Sequence, residues 1–331
     1  MEYRKLGASD LNVSVLTFGA WQIGDPEYWG PDEQADANNA VAAAIDVGVN
    51  TFDTAEQYGD GESEKMLGKA LGKRRGDVIV ASKVSPHNCA PPRLRQSCER
   101  SLRRLGTDYL DLYQIHWPFS GISHEEVFAE MKRLQKEGKI RYIGVSNFGR
   151  EDLRHAMHNA PCVSDQLGYN LVFRAIEYEI LPACQKQGFG VLAYMPLMQG
   201  LLAGRWQSAN EIPPARRRTR HFSSKREHTR HGEEGCEELL FNALKEIAGV
   251  AQQLGTSMAT LALAWVMAQP GVTSVIAGAR RADQVTRNAA AAELKPSQDV
   301  IERLNAITEP IKEHLGANAD MWDSGERARI R

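Results

Sequence analysis

The chain has 331 residues, 42% of them hydrophobic and 25% charged, the balance of a soluble globular protein with enough apolar residues for a large core. Forty basic residues against 42 acidic ones leave a formal net charge of −2, so nothing in the charge asks for nucleic acid or an anionic membrane, and a small molecule is the expected partner. The five cysteines, Cys89, Cys98, Cys162, Cys184 and Cys236, are odd in number, widely spaced and without a CxxC pair, which excludes a disulfide framework and fits reduced thiols.

The opening residues, MEYRKLGASDLNVS, lack the apolar stretch of a signal peptide, and no apolar run approaches the roughly 20 residues that span a bilayer. The expectation is a cytoplasmic protein. Residues 1–14 read as a hairpin that precedes the main fold. From there short apolar runs alternate with helical patterns, and the runs at 15–18, 50–53, 78–82, 110–115, 140–145, 163–167, 191–194 and 274–276 read as eight strands. Between them lie amphipathic patterns such as DEQADANNAVAAAIDVG, ESEKMLGKALGKRR, PPRLRQSCERSLRRLG and HEEVFAEMKRLQKEG, with Gly48, Gly106 and Gly138 where helices stop. Alternating strand and helix argues for a parallel sheet.

An open doubly wound sheet and a closed barrel both satisfy that alternation. Eight units in a chain of this length favour a (β/α)8 TIM barrel, an α/β fold, with the N-terminal β-hairpin closing the barrel bottom. The expectation is one domain over residues 1–331, with a long loop at about 203–236 after strand seven and a C-terminal tail at about 310–331.

In such a barrel the chemistry gathers where strands end. Strand two runs into Asp53, strand three into Lys83 and strand four into His116. The gaps of 30 and 33 residues are each about one βα unit, so the three side chains share one rim, and Tyr58 on the loop after strand two can lean over them. Singly, Tyr58 reads as a surface aromatic, Lys83 as a solvated strand end, His116 as a core histidine and Asp53 as a cap. Their convergence on adjacent strand tops points to a site.

The runs NTFDTAEQYGDGESEKMLGKAL, VIVASK, SLRRLGTDYLDLYQIHWP, KIRYIGVSNF, LAYMPLMQGLLAG and VIAGARRADQVTRN resemble, in order and across nearly the whole chain, those of the aldo-keto reductase superfamily. The resemblance implies a barrel that reduces aldehydes or ketones with a nicotinamide cofactor, usually NADPH and less often NADH, using a tetrad that falls on Asp53, Tyr58, Lys83 and His116. The residue types suit the reaction. Hydride addition to a carbonyl leaves a developing alkoxide that needs a proton; the expectation is that a Lys83 ammonium held by Asp53 pulls the Tyr58 phenol down toward working pH, while His116 orients the carbonyl oxygen. A cofactor-binding regulatory or scaffold subunit is the alternative, and an intact tetrad argues for the enzyme.

Gly188-Phe189-Gly190-Val191-Leu192-Ala193 matches G-x-G-x-x-A but follows a helical pattern and opens a strand, the reverse of a dinucleotide fingerprint. The resemblance places the cofactor elsewhere. It implies Ser146, Asn147 and Gln166 at the nicotinamide amide, Tyr194 stacked on its ring, Leu197, Gly200 and Leu202 along the pyrophosphate, and Gly278, Arg280, Gln284 and Asn288 at the adenosine end. No metal is implied. Met195 stands where many relatives have serine, Phe119 where an acid often follows the HxP turn, and Gly278 where some branches have lysine, which leaves Arg280 as the candidate for a 2'-phosphate.

Trp21, Tyr28, Trp29, Trp117 and Phe119 are expected to form an aromatic mouth for the carbonyl substrate. The segment 213–235, PPARRRTRHFSSKREHTRHGEEG, follows strand seven. It reads either as a solvated, partly disordered insertion or as a flap whose arginines, Arg216, Arg217, Arg218, Arg220, Arg226 and Arg230, repel one another and hold it open until an anionic cofactor neutralises it.

Overall fold

The computed structural model describes residues 1–31 and 33–331; Asp32, the first residue of the first helical pattern, lies outside the described residues. Ten strands are found among the described residues: β1 Tyr3–Lys5, β2 Asn12–Ser14, β3 Leu16–Gly19, β4 Thr51–Asp53, β5 Ile79–Val84, β6 Leu110–Ile115, β7 Ile140–Ser146, β8 Cys162–Gly168, β9 Gly190–Tyr194 and β10 Val272–Gly278. β1 and β2 form an antiparallel pair. β3 to β10 close into a barrel in chain order, β10 returning to pair with β3.

The helices are α1 Pro26–Trp29, α2 Gln34–Asp46, α3 Glu62–Leu71, α4 Pro91–Leu105, α5 His124–Lys136, α6 Arg150–Asn159, α7 Ile180–Gln187, α8 Glu237–Gln253, α9 Met258–Ala268, α10 Ala282–Ala290 and α11 Gln298–Leu315. α4 shows the local logic: Pro91 opens it, Leu94, Cys98, Leu102 and Leu105 recur on one buried face, and Gly106 ends it in the left-handed conformation at φ 64°. Among the described residues no helix is long and apolar enough to cross a membrane.

Every second residue of a barrel strand points inward, and the inward residues form two layers. In the lower layer Leu6, Leu11 and Val13 of the N-terminal hairpin pack against Ala81, Leu112, Val163, Leu192 and Ile276, so the hairpin plugs the bottom. Gly7 makes the close approach possible: its φ is +52°, and a Cβ there would stand 2.1 Å from Val163 O. Two residues further along β5 and β6, and three further along β8, stand Lys83, Gln114 and Gln166, all buried. The interior is thus apolar below and polar above.

Candidate active site

The polar layer opens into a cavity of about 630 Å³ lined by Asp53, Tyr58, His116, Ser146, Asn147, Gln166 and Tyr194, among others. β4 delivers Asp53 and stops. The chain then turns so that Tyr58 leans back over the barrel, a turn that brings Gly59 against Gly24 O, where a Cβ would stand at 1.6 Å. Lys83 Nζ donates to Asp53 Oδ1 at 2.6 Å, to Thr54 O at 2.9 Å and to Tyr58 Oη at 3.0 Å. The Tyr58 ring meets His116 edge-on with centroids 5.6 Å apart, and Trp21 stacks on its other side at 5.7 Å.

The ammonium of Lys83 has no exposed side-chain surface. Burial alone would lower its pKa, but Asp53 and Tyr58 outweigh burial and the net shift is upward, so the amine stays charged. His116 is pushed well below the ordinary histidine value, first by burial and then by Lys83, so it is a neutral imidazole at neutral pH. Its Nδ1 has no hydrogen-bond partner among the described residues. The expected depression of the Tyr58 phenol is corrected: burial raises it, the Asp53 carboxylate adds to the rise, and the Lys83 ammonium offsets them only in part. Tyr58 is therefore held as the protonated acid.

A second layer of bonds fixes the neighbouring wall. Asp53 Oδ2 accepts from Gln166 Nε2 at 2.8 Å and from Gln114 Nε2 at 3.4 Å. Ser146 Oγ donates to Gln166 O, Asn147 Nδ2 donates to Ser146 Oγ and to His116 O, and Tyr194 Oη donates to Asn147 Oδ1 at 2.7 Å. Asn147 sits at φ 62°, a left-handed position that asparagine tolerates better than most residues. At the other end of the cavity Arg205, Arg216, Arg280, Arg281 and Arg287 gather with Leu197, Gly200, Gly278 and Gln284. There Gln199 is also left-handed, at φ 54°, and its amide nitrogen and oxygen are both buried without a hydrogen-bond partner.

Not every expected residue reaches this cavity. Leu202 is fully buried in the core, and Asn288 donates through Nδ2 to Gly278 O at 3.3 Å, so it supports the end of β10 from behind. Phe119 packs on the His124 ring at 4.7 Å, which takes up its face, and does not line the cavity. Tyr28 stands behind Trp21, stacked at 4.8 Å, and donates its hydroxyl to Ala215 O at 3.1 Å. Trp21, Trp29 and Trp117 do line the cavity. Arg280 lines it too, with its guanidinium donating to Trp29 O at 2.5 Å, to Gly30 O at 3.4 Å and to Pro31 O.

The sequence pattern does not reveal Gln199, Arg205 and Arg287 at the arginine end of the cavity, nor two residues nearer the tetrad. Gln114 was visible only as a polar residue inside an apolar strand. Trp322 comes from the C-terminal tail, lines the cavity, lies parallel to Tyr194 at 6.4 Å and meets Trp117 edge-on at 5.7 Å; an aromatic in an otherwise polar tail was its one signal.

The basic segment is also corrected. Arg220 pairs with Glu233 at 2.8 Å, Arg226 with Glu237 at 2.5 Å and Arg230 with Asp323 at 2.9 Å, while Phe222 is fully buried. Partnered charges and an apolar anchor fold the segment down, and repulsion does not hold it open. Arg216 lies over the Trp29 ring at 4.8 Å and Arg218 over Tyr28 at 5.7 Å.

A model of the Aldo/keto reductase family matches residues 15–309. Methylglyoxal reductase YeaE of Escherichia coli (strain K12) is 35% identical over 301 residues, spanning 90% of this chain and 92% of that protein. The solved glycerol dehydrogenase AKR11B4 from Gluconobacter oxydans is 30% identical with a TM-score of 0.81, covering 93% of this chain and 95% of that one. An aldo-keto reductase from Klebsiella pneumoniae, solved in complex with NADPH, is 30% identical with a TM-score of 0.73, covering 100% of this chain and 98% of that one. A matching family model over most of the chain, a barrel closed in chain order and four polar side chains converging on one cavity lead to one conclusion: the chain belongs to the aldo/keto reductase family.

Proposed function

We propose that the protein reduces an aldehyde or ketone to the alcohol by hydride transfer from NADPH, with Tyr58 as the proton donor. The observation that carries the proposal is the placement of Lys83 Nζ, 2.6 Å from Asp53 Oδ1 and 3.0 Å from Tyr58 Oη, beside a cavity that Tyr58 and His116 both line.

The cavity suits a dinucleotide. Five arginines and the unpartnered amide of Gln199 offer donors for phosphate oxygens at one end, and the amide groups of Asn147 and Gln166 stand beside the Tyr194 ring at the other. When bound, NADPH supplies a hydride to the carbonyl carbon. Tyr58 gives its proton to the carbonyl oxygen, which stays on carbon as the hydroxyl of the product alcohol, and the phenolate left behind faces the Lys83 ammonium. Asp53 keeps that ammonium charged and aimed. Neutral His116 offers one N–H to the same oxygen and adds no charge that would compete with Lys83. Trp21, Trp29 and Trp117 would border an apolar or planar substrate.

The test is NADPH consumption with a panel of aryl and short aliphatic aldehydes and ketones, with the alcohol product identified. Consumption matched by alcohol supports the proposal. Tight NADPH binding with no turnover on any member would favour a cofactor-binding regulatory subunit.

A further inference from the structure

We infer that Arg220 is a positioning residue for substrate selection: it fixes the C-terminal tail, and the tail sets where Trp322 stands in the cavity wall. The inference rests on the carbonyl reduction proposed above.

Trp322 has no strand or helix of its own to hold it. The turn that carries it is knitted internally, since Asp320 accepts from the backbone N–H groups of Trp322 and Asp323 and takes both arms of the Arg329 guanidinium at 2.8 and 3.0 Å. Arg329 in turn covers the Trp117 ring at 3.6 Å. A knitted turn still needs an anchor to the barrel.

The anchor comes from the segment after β9. Arg220, only 3% exposed, donates through one terminal nitrogen to Asn318 O at 2.8 Å and through the other to Leu315 O at 2.6 Å, while Glu233 holds its Nε at 2.8 and 3.0 Å. Its backbone N–H donates to Met321 O at 2.9 Å, one residue before Trp322. All three nitrogens of a planar fork bear on one task that a point charge could not perform. Arg230 adds a second tie, to Asp323 at 2.9 Å. The basic segment thus spends two of its arginines on the tail, and residues remote in sequence from Trp322 determine its position.

The consequence is a wall whose place depends on Arg220. Kinetics on benzaldehyde and propanal test it, with NADPH saturating, in Arg220→Met, Arg220→Lys, Trp322→Ala and the Arg220→Met/Trp322→Ala pair. Arg220→Met should raise the KM for benzaldehyde relative to propanal by about tenfold, the scale on which one lost apolar contact discriminates substrates, with little change in kcat. Trp322→Ala should shift the ratio in the same direction, and the pair should add little to either single change. Arg220→Lys keeps the charge and the Glu233 pairing but not the fork, so it should fold readily and fall between Met and wild type. Trypsin cleavage at Arg327 should quicken in both Arg220 variants, a readout independent of turnover. An unchanged KM ratio in Arg220→Lys and Arg220→Met despite quicker cleavage would overturn the inference, as would equal losses on both aldehydes carried by kcat. Failure of wild type to reduce any carbonyl would instead count against the proposed function, and unchanged tail cleavage would still count against Arg220 as the anchor.

Discussion

Lys83 reaches the Tyr58 hydroxyl at 3.0 Å, yet the phenol titrates above its ordinary value of 10.0 because burial outweighs the ammonium. The lysine makes Tyr58 a stronger acid than burial alone would leave it, without bringing it below that ordinary value. Its charge is best placed to stabilise the phenolate that forms once the proton has left.

A pH profile follows from that ordering. A raised phenol keeps its proton to higher pH, so reduction that needs the acid form should hold steady through neutrality and decline only above about pH 10. His116, lowered well below 6.5, should add no acid limb near neutrality. Alcohol oxidation, which needs the phenolate, should climb across the same range. Steady-state kcat/KM in both directions is the check; a reduction limb more than about one unit below the ordinary tyrosine value contradicts this account.

Lys83 and Asp53 should behave as one unit. Lys83→Met removes the charge that Tyr58 faces, so adding Asp53→Asn should cost little more, whereas each single change should lower kcat by roughly a hundredfold. Transient kinetics on the two singles and the double would read the coupling. Losses that multiply contradict a shared role.

Arg280 should favour NADPH over NADH. Its guanidinium lines the cavity, where a 2'-phosphate dianion would give it charge-assisted hydrogen bonds that the 2'-hydroxyl of NADH cannot replace. Arg280→Ala should weaken NADPH by about tenfold or more relative to NADH, the scale of a charged hydrogen bond. Fluorescence titration of both cofactors decides it, and an unchanged ratio would move the role to Arg281 or Arg216.

His221 gives a stability prediction. It is fully buried, bonds to Val172 O at 2.7 Å, and its pKa is lowered to about 4, mainly by burial. Between the unfolded value near 6.5 and about 4 the unfolded chain binds the extra proton, so stability falls as pH falls, by up to about 1.4 kcal/mol per unit. Urea denaturation at about pH 7 and about pH 5 should show wild type losing up to roughly 2 kcal/mol more than His221→Gln. Equal losses would mean that the ring is charged or solvated in the folded chain.

What the sequence reveals and what it hides divide along physical lines. Strand–helix alternation exposed the barrel, and the strand ends at Asp53, Lys83 and His116 exposed the site, because both depend on local pattern. Trp322 was hidden because no periodicity carries an irregular tail to the cavity. The pairing of the basic segment is hidden because its neutralising partners are set by folding: Glu233 lies 13 residues from Arg220, and Asp323 in the tail meets Arg230. The direction of the Tyr58 shift is hidden as well, because it depends on burial, which charge spacing alone does not report.

The central claim is that Tyr58 supplies the proton that accompanies hydride transfer. Single-turnover oxidation of bound NADPH by an aryl aldehyde, compared between wild type and Tyr58→Phe at equal cofactor occupancy, tests it most directly. The account predicts a loss of at least about a hundredfold in the transfer rate, with the NADPH dissociation constant near wild type. A transfer rate in Tyr58→Phe close to that of wild type would contradict it.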